Sequence, residues 1–197
     1  RRRRWCAVSR SPTPFARGRA PAGCAQLPAR VRVKVCGVTR PQDAVAIEAA
    51  GADAVGVIFA AGSRRRVDVA RAAEVLAPLG PFVARVGVFV SPTPEEVLTA
   101  VDALRLHAVQ LHGELAGGDD ASWATLRERV ALIRAVAWSP QLDLDALARS
   151  GADAVLVDGP RAGSGRPFDW AGAGNLRRHT NWILAGGLEP GNVAQAI

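Results

Sequence analysis

The chain has 197 residues, 49% hydrophobic and 22% charged, enough for one core of good size with attachments. No segment approaches the roughly 18 uninterrupted apolar residues that a bilayer span requires. The formal charge of +7 is uneven: residues 1–32 carry nine Arg and no acid, while the remainder carries 16 basic and 18 acidic residues, so the body is mildly acidic and is not a basic nucleic-acid-binding domain.

Residues 1–32 open with Arg-Arg-Arg-Arg-Trp-Cys and continue as a Pro/Ala/Arg/Ser mixture without apolar periodicity. Such a stretch buries too little surface to offset its ordering entropy, so a basic disordered extension is expected. It lacks the apolar h-region of a secretory signal. An organelle transit peptide, a nucleic-acid-binding arm and upstream sequence with no role all remain open. No aromatic interleaving beyond Trp5 and Phe15 supports specific nucleic-acid binding. Three Cys, two of them in this extension, do not make a disulfide framework, and a reducing compartment is the simpler expectation.

From Val33 onward short β-like runs alternate with amphipathic helical stretches. The runs predict strands at Val33–Cys36, Ala54–Phe59, Ala84–Phe89, Ala108–Leu111, Ala131–Ala135, Ala154–Asp158 and Trp182–Ala185. Helices are expected over Pro41–Ala50, Asp68–Ala77, Pro94–Val101, Ser122–Arg129, Leu142–Arg149, Ala171–Arg177 and from Pro190 onward. Pro41, Pro94 and Pro190 suit a first helical turn, and Gly51 and Gly151 suit the position just past a helix end. Gly51-Ala52-Asp53-Ala54-Val55 returns as Gly151-Ala152-Asp153-Ala154-Val155, about a hundred residues on. That period fits the half-barrel repeat of a (β/α)₈ barrel, an α/β fold. A doubly wound sheet is the alternative, but no G-x-G-x-x-G follows the first strand. The expected organisation is therefore an extension, 1–32, and a barrel domain, 33–197. With seven strands counted, the barrel reads as truncated after the seventh strand and the start of its helix, leaving two open edges that invite pairing with other chains.

In a barrel, chemistry sits on the loops that follow the strands. Cys36 ends the first predicted strand, with Lys34 on its face by period-2 alternation. The next loop carries Ser63-Arg64-Arg65-Arg66, where one Arg could contact an anion or stack on an aromatic acid. Gln110 and His112 share a face at the end of the fourth strand; His112 could line the pocket or cap the loop. Asp158 ends an apolar run at the same end, where an unpartnered carboxylate is costly to bury. Gly163-Ser164-Gly165 forms a glycine loop, and Asp169 reads as a helix N-cap. Gly186-Gly187 lets backbone N–H groups approach an anion, where barrels often bind phosphate.

Six segments in register carry a resemblance: Lys34-Val35-Cys36-Gly37-Val38-Thr39, Gly51-Ala52-Asp53-Ala54-Val55-Gly56, Arg85-Val86-Gly87-Val88-Phe89-Val90, Val109-Gln110-Leu111-His112-Gly113-Glu114, Gly163-Ser164-Gly165 with Phe168-Asp169-Trp170, and Leu184-Ala185-Gly186-Gly187-Leu188. Together they resemble the phosphoribosylanthranilate isomerase family across nearly all of 33–197. The resemblance implies an Amadori rearrangement of N-(5-phosphoribosyl)anthranilate to the carboxyphenylamino deoxyribulose phosphate in tryptophan biosynthesis, without cofactor or metal. It implies that Asp158 protonates the ribose ring oxygen as general acid and that Cys36 removes the C2′ proton as general base. By the same resemblance Arg65 contacts the anthranilate ring or carboxylate, Gly186 and Gly187 hold the phosphate, and Gln110, His112, Gly163 and Gly165 complete the substrate site. The implied partner is the phosphosugar-anthranilate substrate, with a homodimer or other tryptophan-pathway enzymes as further partners. The implied location is cytoplasmic, or an organelle if residues 1–32 are a transit peptide.

By the same resemblance the loop after the family's eighth strand completes the phosphate site, so a chain that stops before it and keeps open barrel edges is expected to show little or no isomerase activity. The competing readings are an inactive or fragmentary barrel acting only through association, and a neighbouring indole-pathway synthase. The latter relies on Lys and Glu groups inside the barrel, and Lys34 is the one lysine in this chain.

Overall fold

A computed structural model describes residues 4–9, 31–113, 120–159, 170 and 181–196. Seven parallel strands follow one another in chain order: β2 (Arg32–Cys36), β3 (Ala54–Ile58), β4 (Ala84–Val90), β5 (Ala108–His112), β6 (Ala131–Ala137), β7 (Ala154–Asp158) and β8 (Trp182–Leu184). Between them lie α1 (Pro41–Ala49), α2 (Val69–Leu76), α3 (Pro94–Leu104), α4 (Asp120–Arg129) and α5 (Leu144–Arg149). All seven expected strands are present, Ala154–Asp158 with the ends expected and the others with an end shifted by one or two residues. The helix expected over Ala171–Arg177, the Asp169 cap and Gly163–Gly165 fall outside the described residues. After Pro190 the chain makes a turn and a short 3₁₀ helix, Val193–Ala196. Among the described residues no helix is long and apolar enough to cross a membrane.

The edges of the sheet depart from expectation. Within the extension read as disordered, Arg4–Ser9 forms strand β1, which runs antiparallel to both β2 and β8 and closes the barrel. The two edges expected to stay open are therefore occupied. β1 pairs along five residues of β2, with Arg4 opposite Cys36 and Val8 opposite Arg32, and along three residues of β8.

Strand alternation divides the core into two layers. Inside the barrel, Val86, Ile133, Ala135, Leu156, Ile183 and Ala185 pack together beneath the mouth. Outside it, Val35, Val55, Val57, Val109, Leu111 and Leu132 meet helix residues such as Ile47, Val75, Val97 and Leu126. Full burial of each such side chain is worth about 1.5–3 kcal/mol. Helix starts are fixed locally: Asp68 caps α2 through the Arg71 N–H, and Thr93 with Glu96 forms a capping box on α3, with Pro94 in its first turn.

The sequence echo has a structural purpose at the floor of the barrel. Asp53 accepts the Val33 N–H on Oδ2 at 2.8 Å and returns its own N–H to the Val33 carbonyl at 2.9 Å. Asp153 does the same with Leu132, at 2.8 and 2.9 Å. In both units the glycine after the helix adopts the left-handed conformation and the aspartate clamps the start of the preceding strand, β2 or β6.

Candidate active site

The expected site residues that fall within the described chain gather at the carboxyl ends of the strands. Cys36 ends β2 as a half-buried free thiol. Asp158 ends β7, half-buried; its Oδ1 accepts the Gly159 N–H at 2.8 Å and its carbonyl accepts the Trp138 N–H at 2.8 Å. β2 and β7 are separated on one side by β1 and β8 alone, which sets the two groups on different walls of one mouth.

Of the three successive arginines, Arg64 and Arg66 are exposed, while Arg65 folds inward. Its Nη1 donates to the Cys36 carbonyl at 2.9 Å, and its guanidinium lies over Gly37, where an added Cβ would come within 2.7 Å of Cζ. A planar cation is thus held against the strand end that carries the thiol. That placement suits a carboxylate or the face of an aromatic ring.

Gly186 is required at its position. Its φ is +86°, and a Cβ there would lie 2.2 Å from Asp158 Oδ1 and 2.8 Å from the Gly159 nitrogen. The glycine pair after β8 and the carboxylate after β7 therefore form one packed unit. Gly187, also at positive φ, offers its carbonyl to Asn192 Nδ2 at 2.8 Å, while Asn192 Oδ1 accepts the Glu189 N–H at 2.8 Å. Asn192, which the sequence did not single out, thereby holds the loop in shape.

Beneath the mouth runs a buried polar chain. Lys34 is 2% exposed and donates from Nζ to Gln110 Oε1 at 2.9 Å; Gln110 Nε2 lies 2.6 Å from His112 Nε2. Gln110, expected to touch substrate, is itself buried. Burial lowers the His112 pKa, the Asp158 carboxylate opposes that shift, and the Lys34 and Arg134 cations reinforce it. Gly56 on β3 makes room for this chain: a Cβ there would stand 3.1 Å from Cys36 Sγ and 3.3 Å from Lys34 Nζ. In sequence a glycine inside a strand marks a close approach without saying which group makes it. Among the described residues no three His, Cys, Asp or Glu side chains cluster as a metal site would need.

Residues 33–197 match the family described as PRAI, N-(5'phosphoribosyl)anthranilate (PRA) isomerase. The chain belongs to this family. It is 43% identical over 173 residues to the N-(5'-phosphoribosyl)anthranilate isomerase of Deinococcus radiodurans, covering 85% of this chain and 81% of that one. It is similar in structure to the phosphoribosyl anthranilate isomerase of Thermus thermophilus, with a TM-score of 0.74 and 39% identity over 82% of this chain and 80% of that one. A third relative, a phosphoribosyl anthranilate isomerase in complex with reduced 1-(o-carboxyphenylamino)-1-deoxyribulose 5-phosphate, aligns with a TM-score of 0.71 and 36% identity, covering 83% and 79% of the two chains. Family membership is carried by the seven parallel strands and their helices across 33–197, not by any one motif, and β1 lies outside the matched residues.

Proposed function

We infer that the chain catalyses the Amadori rearrangement of N-(5-phosphoribosyl)anthranilate to 1-(2-carboxyphenylamino)-1-deoxyribulose 5-phosphate, a step of tryptophan biosynthesis, by acid–base catalysis. The observation that carries this reading is the pairing of Cys36 and Asp158 at one barrel mouth, within a chain that matches the family over 33–197. The structure of a relative bound to a reduced form of the product supports the same substrate class.

In this reading Asp158 donates a proton to the ribose ring oxygen. The C1′–O bond breaks and the nitrogen lone pair forms the cationic Schiff base. Cys36, as thiolate, then removes the C2′ proton, and the electrons shift to give the neutral enolamine. Tautomerisation to the ketone completes the rearrangement with no net change in atoms or electrons. The cationic Schiff base withdraws electrons from C2′ and so acidifies the C–H bond that Cys36 breaks. Arg65 holds the anthranilate carboxylate or ring, and the Gly186 and Gly187 backbone meets the phosphate.

The small-molecule substrate is the partner that this reading requires. A homodimer built by strand pairing loses its motive, because β1 occupies both edges. β1 removes the open edges, one ground for expecting little activity, and measured turnover decides the other, the loop that completes the phosphate site in the family. The test is conversion of enzymatically prepared phosphoribosylanthranilate by the purified chain, followed by NMR of the sugar carbons. A ketose C2′ signal is expected, and an intact aldosylamine after prolonged incubation would refute the reading.

A further inference from the structure

The barrel interior holds one ammonium that the acid–base pair does not use. Lys34 Nζ can only donate, so the Gln110 oxygen must face it, as the 2.9 Å contact requires. The Gln110 amide nitrogen then faces His112, and it too can only donate. His112 Nε2, 2.6 Å away, must therefore accept, which leaves the ring proton on Nδ1. The orientation of a cation on β2 is thereby relayed to the tautomer of a histidine on β5.

We propose that Lys34 is a positioning residue of the isomerase site, holding His112 through Gln110 as the neutral Nδ1–H tautomer. The consequence for turnover rests on the isomerase reading above. With its Nε2 lone pair engaged, His112 gains a second proton only by breaking the bond to Gln110. It serves the mouth as a fixed neutral donor and does not compete with Cys36 for the substrate proton. Among the described residues, the charged groups acting on the ring come from three strands: Asp158 on β7, Lys34 on β2 and Arg134 on β6. Burial and the two cations favour the neutral ring, in keeping with this assignment, while Asp158 opposes them.

The test uses the full chain labelled with ¹⁵N-histidine, with the His112 signals identified by their loss in His112→Gln. At a pH above the ordinary histidine titration, Nδ1 should give a pyrrole-type shift and Nε2 a pyridine-type shift. Gln110→Glu keeps size and gives Lys34 a charged partner, but its oxygens only accept, so the ring proton should move to Nε2 and His112 should titrate at higher pH. Lys34→Met should erase the preference for Nδ1–H. In both variants kcat should fall at least tenfold at neutral pH, with a smaller change in KM, and Gln110→Glu should add an acid limb to the kcat profile. An Nε2–H tautomer in the parent chain, or an unchanged tautomer in Gln110→Glu, overturns the proposal. If Lys34→Met fails to fold, Gln110→Glu decides alone. The expected tautomer without any turnover would leave the positioning intact and refute the isomerase reading instead.

Discussion

At the scale of single residues, the site is most exposed to change at Gly186. Gly186→Ala places a methyl group against Asp158 Oδ1 and the Gly159 nitrogen and forces a side chain into a left-handed backbone, at a strain of about 1–2 kcal/mol. We expect it to lower turnover more than tenfold, measured by steady-state kinetics, and to lower Tm in a thermal melt. His112 sets a pH dependence of stability. Its pKa in the folded chain lies below the ordinary value of about 6.5, so the unfolded chain binds the proton more tightly. The contribution is full above pH about 6.5 and is lost as pH falls toward the lower folded value, after which it levels off. Urea titrations across that window should show this loss, and His112→Gln should remove it. The placement of Cys36, Asp158 and the Gly186–Gly187 pair around one mouth was legible in sequence, because period-2 alternation and strand ends fix which residues meet there. Gly56 and Asn192 were not, since their roles come from a close approach and a loop contact that no local pattern encodes.

At the scale of elements, the two Gly-Ala-Asp-Ala-Val units act as matched clamps on β2 and β6. Hydrogen bonds to a charged group contribute about 1.5–3 kcal/mol. Asp53→Ala and Asp153→Ala should each destabilise by about that much in chemical denaturation. The clamps share no residues and hold different strands, so the double variant should be additive to within about 0.5 kcal/mol. The parallel strands and helices were readable because β-branched runs, first-turn prolines and the glycines after helices mark their limits. β1 was not readable: Arg-Trp-Cys-Ala-Val-Ser lacks period-2 alternation and sits between an arginine run and a Pro-rich stretch that together read as extension. Its order arises from pairing with two sheet edges, a tertiary cause that no local pattern encodes.

At the scale of the whole molecule, β1 changes what the chain can do. Deleting residues 1–9 should expose the edges of β2 and β8, give concentration-dependent association in light scattering, and lower Tm by about 4 °C or more. A deletion variant that scatters light as the parent does, with an unchanged melt, would show that β1 does not hold the barrel closed. The remaining claim is that this closed barrel performs acid–base chemistry through one thiol and one carboxylate. General acid–base groups of this kind contribute about 10²–10⁴-fold to rate. The most direct measurement is therefore single-turnover conversion of phosphoribosylanthranilate by the parent chain, Cys36→Ser and Asp158→Asn, with binding of a reduced product analogue measured by calorimetry on the same samples. We predict that each variant loses at least about 10²-fold in rate while its Kd for the analogue stays within a few-fold of the parent. A variant that binds the analogue normally and turns over at the parent's rate would contradict the account.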